Sequence, residues 1–218
     1  MEAITRQIQN LDLVTLLLFV SLCAFAGAKI FDKNKFGVYI ILPVNNKYLT
    51  IHNKKGKLIS WFHLLNTAFQ LLNFSIFGYL TIKVFTANQY LELKDLLWYL
   101  LLCLFFFVMV KLILQLLTGY IFNIENRILE YIFNKQSYFN YSALIACVGN
   151  IILAYVLPES VTVVYLIIGL IFLLNIVGLV NTIKTHQIYI KSHLLYFILY
   201  LCALEIAPLV IFGSYLKG

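Results

Sequence analysis

The 218-residue chain is short of charge. Charged residues make up 11% of it and hydrophobic ones 62%, where an ordinary soluble domain carries about 25% charged residues. A water-soluble globule must still cover itself with polar surface, so this composition excludes one and leaves lipid to receive the excess apolar area. Proline (3) and glycine (10) are scarce and no long polar run occurs, which leaves no room for a flexible linker. One domain spanning residues 1–218 is expected. The four cysteines, Cys23, Cys103, Cys147 and Cys202, lie inside apolar runs without CxxC spacing, which argues against disulfides and zinc. HExxH, GxSxG, P-loop and acidic-cluster patterns are missing as well. No catalytic residue, metal or cofactor is therefore expected. His186 and His193 bracket a loop, but no partnering acid accompanies them.

Long apolar runs are what the chain has instead. A helix needs about 20 mostly apolar residues to cross a ~30 Å hydrocarbon core. Six segments qualify or nearly do: Leu11–Phe31, Leu58–Phe85, Leu96–Phe122, Tyr141–Leu157, Val161–Ile183 and His193–Leu216. The expected fold is all-α, a polytopic membrane bundle of about six transmembrane helices. The link Pro158-Glu159-Ser160 is short enough to force an antiparallel hairpin, with Pro158 ending the fourth span. The leader MEAITRQIQNLD balances Arg6 with Glu2 and Asp12, unlike a cationic signal peptide, so the first span is expected to be retained.

The net charge is +7, and its cations flank apolar runs. Eleven of the 16 Lys and Arg fall in the first, third and fifth loops: Lys29, Lys33, Lys35, Lys47, Lys54, Lys55, Lys57, Arg127, Lys135, Lys184 and Lys191. That bias puts those loops in the cytoplasm and both termini outside, and it explains the basic balance without a nucleic-acid partner. Two cytoplasmic loops are more than connectors. The first mixes FGVYIIL with lysine and tyrosine, and the third spaces Ile124, Ile128, Ile132 and Phe133 along one helical face. An interfacial helix is expected in each, lying on the lipid bilayer or docking a partner.

Two charges fall deep inside spans, Lys111 and Glu205. A charge at mid-bilayer costs several kcal/mol and normally finds protein, water or a partner. Glu205 is 12 residues past His193 and Lys111 is 15 past Leu96, so their α-carbons differ by only ~6–10 Å in depth. Three readings stay open. Lys111 snorkels alone beside a protonated Glu205, or the two form a structural ion pair between the third and sixth spans, or Glu205 titrates as a functional group. Pro208 follows Glu205 and loosens its helix by freeing the carbonyl of Leu204.

The second span carries His63, Asn66, Gln70 and Asn73 at spacings of 3, 4 and 3, a single helical face. Gln115 and Thr118 repeat the pattern beyond Lys111, and Asn150 and Asn175 offer amides on the fourth and fifth spans. Such rows either hydrogen-bond across helix interfaces as a polar seam or line a hydrated cavity.

The run YFILYLCALEIAPLVI, Tyr196 to Ile211, resembles the ending of an uncharacterised family of multi-pass inner-membrane proteins from Bacteroidota, a domain of unknown function. LDLVTLLLF near the start and MVKLIL in the third span are similar to its layout too. The resemblance implies a bacterial inner membrane, which makes the termini periplasmic, and it brings no activity. Two functions follow as expectations. The first is a non-catalytic accessory or scaffold subunit of a larger envelope complex, such as a protein-export or secretion assembly, with other membrane proteins as partners. The second is a small proton- or ion-coupled transporter component that uses Lys111 and Glu205.

Overall fold

A computed structural model of the chain describes residues 12–42, 60–86, 93–121, 125–158 and 160–185. Among the described residues the secondary structure is helical, without a strand. The helices are α1 (Asp12–Phe31), α2 (Lys33–Ile40), α3 (Trp61–Thr86), α4 (Leu93–Ile121), α5 (Glu125–Ile151) and α6 (Val161–Thr185). All but α2 contribute a segment long and apolar enough to cross a membrane. The sixth expected span, 193–216, lies outside the described residues, and so do Glu205 and Pro208.

Helix starts follow local chemistry. Asp32 caps α2 by accepting the Lys35 N–H at 3.0 Å, and the Ser60 hydroxyl oxygen accepts the His63 N–H at 3.3 Å at the head of α3. The stop after α5 is equally local. The residues that follow it, Ile152–Val156, widen into a π-helix closed by the Leu157 N–H on the Ile152 carbonyl at 2.8 Å. Pro158, which has no N–H to give, then ends the run, and α6 begins at Val161. The two helices form the antiparallel hairpin that the short link dictates.

Contacts fix the helix directions. Gly27 faces Leu65 and Gly78 faces Leu100, so α3 runs antiparallel to its chain neighbours α1 and α4. Gly119 sits against Ile128 and Glu125, and Gly178 against Tyr138, which makes α5 antiparallel to α4 and α6. His63 packs on Phe133 and Phe74 on Phe139, so α3 and α5 lie side by side and parallel. The larger core joins α1, α3, α5 and α6 through Leu17, Phe69, Ile76, Cys147 and Ile167. A second core closes the end that carries α2, where Phe36, Tyr39, Phe62, Phe133 and Tyr138 meet.

The expected interfacial helices take a different form. In the first loop α2 does not rest on lipid by its aromatic face. Phe36 is buried against Phe25 at 5.0 Å, and Tyr39 meets Phe62 at 5.6 Å and Tyr141 at 5.7 Å. In the third loop the helical spacing is real, but the helix is not separate. It is the first half of α5, which runs unbroken from Glu125 through the expected fourth span. The physical reason is that Ile128, Ile132 and Phe133 have a protein surface to bury against, at Gly119 of α4 and His63 of α3. The 27 residues of α5 span about 40 Å, more than the ~30 Å hydrocarbon core requires.

Two glycines set the α5–α6 distance. A Cβ on Gly149 would overlap the Ile167 side chain, and one on Gly178 would lie 2.5 Å from Cγ of Tyr138. Gly169 has nothing within 4 Å of the same position. Gly178→Ala is accordingly expected to destabilise the bundle by about 1–3 kcal/mol, because the Tyr138 ring is too close to yield. Gly169→Ala leaves stability nearly unchanged, as read from unfolding curves in mixed detergent micelles.

Candidate functional site

The polar face of α3 is wholly inside the bundle. Asn66, Gln70 and Asn73 are each no more than 1% exposed, and His63 is buried beside them. Three rungs link this face to α5. At the α2 end, the His63 ring stands edge-on to Phe133 with centroids 4.6 Å apart. In the middle, Gln136 donates from Nε2 to Gln70 Oε1 at 2.9 Å and to Asn140 Oδ1 at 3.0 Å. Asn140 in turn donates to the Thr67 hydroxyl at 3.5 Å. Further along, Asn150 Nδ2 donates to the Asn73 carbonyl at 2.9 Å and lies 3.4 Å from Asn73 Oδ1. Two of the α3 amides also hold their own helix, Asn66 on the Phe62 carbonyl and Asn73 on the Phe69 carbonyl, both at 2.9 Å.

The other expected members divide. Asn150 belongs to the seam, whereas Asn175 is half-buried and donates to Ile171 O of its own helix at 2.8 Å. Gln115 is buried on α4 with its Nε2 unpartnered, and Thr118 donates to the Gln115 carbonyl at 2.8 Å. Lys111 is half-buried one turn away, its Nζ 5.9 Å from the centroid of the Phe107 ring. The pairing of Lys111 with Glu205 lies outside the described residues.

Sequence reasoning missed Thr67, Gln136 and Asn140, and also the bond from Asn181 Nδ2 to the Tyr138 hydroxyl at 2.9 Å that ties α6 to α5. The signal was there in part. Phe133, Gln136 and Asn140 continue at spacings of 3 and 4, but a stretch read as a loop has its polarity assigned to solvent. Asn134 is another buried amide of that stretch, fully enclosed with both side-chain atoms unpartnered.

Chemically, the seam consists of amides and the Thr67 hydroxyl, together with the His63 imidazole at its α2 end. Among the described residues, no group of three or more His, Cys, Asp or Glu converges as metal ligands would. What the arrangement does is join helices, since amides bonded across an interface in hydrocarbon contribute about 0.6–2 kcal/mol each.

Five long apolar helices, the central two keyed together by buried amides, define a polytopic helical membrane protein. Within that class, the chain belongs to the family described as a domain of unknown function (DUF4271), whose model matches residues 14–216. No curated protein and no solved structure matches it.

The rungs are expected to differ in energy from the lone amides. Gln136→Leu removes the donor that serves both Gln70 and Asn140 and lowers stability by about 1–3 kcal/mol. Asn175→Leu, which breaks only a bond within its helix, costs less than half as much. Asn134→Leu removes an unpartnered buried amide and raises stability by about 1 kcal/mol or more. Steric trapping or denaturant unfolding in bicelles ranks the three.

Proposed function

We propose that the chain is a non-catalytic scaffold or accessory subunit of a larger assembly in a bacterial inner membrane, of the protein-export or secretion kind. The observation that carries this reading is how the buried amides are used. Gln70, Asn73, Gln136, Asn140 and Asn150 bond one another or backbone carbonyls, holding a bundle together instead of presenting groups to a passing solute. In this reading the end that carries α2, with Lys29, Lys33 and Lys35, faces the cytoplasm, and the termini are periplasmic.

A proton- or ion-coupled component is the second reading, and one observation favours it. The buried, unpartnered Nε2 of Gln115 lies one turn from Lys111, and Lys111 sits near the middle of α4. In that case Lys111 and Glu205 would be its working groups.

The test is extraction of the tagged chain from native membranes in mild detergent after brief crosslinking. A subunit travels with other multi-pass proteins in fixed stoichiometry, whereas a chain that runs alone at every crosslinking time overturns the first reading. Glu205→Gln separates the second. The coupled reading expects function to be lost with abundance unchanged, whereas an equal loss of abundance points to a structural pair.

A further inference from the structure

We propose that the corner where α1 passes into α2 is a binding surface for the headgroups of anionic phospholipids. The chain is nearly helical through this corner, with the Asp32 N–H on the Ala28 carbonyl at 3.3 Å and the Phe36 N–H on the Asp32 carbonyl at 3.0 Å. The break falls at Asp32, where φ −151° and ψ 85° leave the helical region. Four charges gather around the break, and one pair cancels, since Lys35 Nζ contacts Asp32 Oδ2 at 3.0 Å. Lys29 and Lys33 remain, both exposed. The Lys29 ammonium is held 5.9 Å from the centroid of Phe36. The first turn of α2 offers no competing anion site, because the Asp32 carboxylate already occupies it and repels a second negative group.

Apolar groups beside the two lysines place the corner at headgroup depth. Phe31, the last residue of α1, stacks on Trp61, the first of α3, with centroids 6.2 Å apart and planes 16° from parallel. Both rings are about two-thirds exposed, and Ile30 is 75% exposed. An exposed tryptophan, with its indole N–H, stacked on a phenylalanine at the ends of two apolar helices belongs at the boundary between acyl chain and headgroup. There the rings sit among acyl chains and glycerol while the ammonium groups reach phosphate. Two uncancelled cations over an apolar rim favour a lipid with net negative charge over a zwitterionic one. This surface does not depend on which reading of the bundle's function holds.

The chain carries its own reporters, because its two tryptophans, Trp61 and Trp98, lie at opposite ends of the bundle. Trp98→Phe leaves Trp61 as the fluorophore in phosphatidylcholine vesicles doped with acyl-brominated phosphatidylglycerol or, at equal mole fraction, acyl-brominated phosphatidylcholine. Quenching of Trp61 is expected to report enrichment of phosphatidylglycerol on the order of fivefold, reduced in high salt. Lys29→Gln with Lys33→Gln removes the enrichment, and Lys29→Arg with Lys33→Arg keeps it. In the Trp61→Phe protein, Trp98 is quenched equally by the two lipids. Equal quenching of Trp61 by both lipids, a preference that survives the glutamine pair, or the same preference at Trp98 overturns the proposal.

Discussion

The contact on which the rest of the bundle depends is the amide seam between α3 and α5. In hydrocarbon, the hydrophobic effect gives helices no reason to associate, because lipid tails are as apolar as leucine. Association must come from close packing and from polar groups with no other partner. Gln136, bonded at once to Gln70 and Asn140, and Asn150, bonded to Asn73, supply that term between two helices that are not joined directly in the chain. These are the two most enclosed of the five spans, and the others are arranged around them. Helix α1 approaches α3 through Gly27 and Ala28, and α6 approaches α5 through Gly149 and Gly178. Small residues thus do at the periphery what amides do at the centre. By contrast, α4 turns most of its length outward, with Phe106, Ile113 and Tyr120 exposed, as a lipid-facing helix can.

Much of this was legible in the chain. Run length and apolarity located five helices to within a few residues at most ends, because bilayer thickness sets a length that composition reveals directly. The amides of α3 were legible as well, since their spacing matches the helix period. The role of segment 125–140 is hidden in the sequence, because its charges indicate exit from the apolar core while its amides face protein. Composition averages the two, and only the position of the neighbouring helix separates them. Asn150 and Asn175 make the same point. Each is a lone asparagine in an apolar span, yet one faces α3 and crosses to Asn73, while the other folds back on Ile171. Sequence specifies residue type and period, but the absolute rotation of a helix is fixed by its neighbours.

Aromatic residues mark the height of the bundle. On α4, the exposed Tyr99 and Tyr120 are 21 residues apart, or about 32 Å at 1.5 Å per residue, close to the ~30 Å hydrocarbon thickness. On that scale Lys111 is about 14 Å from the Tyr120 level. That depth is a serious cost for an ammonium facing lipid alone, and Lys111 is instead half-buried on the flank of α4 that also buries Leu97 and Gln115. The helix places its one deep cation on the side where protein groups are.

Depth also explains how the polar groups are distributed. The contacts of Gly119 with Ile128 and of His63 with Phe133 bring Gln115, Asn66 and Asn134 to similar heights, all toward the end that carries α2. Gln70, Gln136 and Asn140 lie just above them, and Asn73 with Asn150 is the last rung of the seam. Beyond it the larger core is mainly aliphatic, and a hydroxyl bond of 2.6 Å between Thr15 and Tyr155 joins α1 to the π-helical end of α5. A polar group costs less to bury near the headgroups than at the bilayer centre, so a seam weighted toward one interface achieves helix specificity at lower desolvation cost. The bundle is therefore keyed most firmly at its basic, aromatic end. At the opposite end the ladder that continues α5 is already irregular, its hydrogen bonds stepping from i→i+4 to i→i+5 in the π-helix.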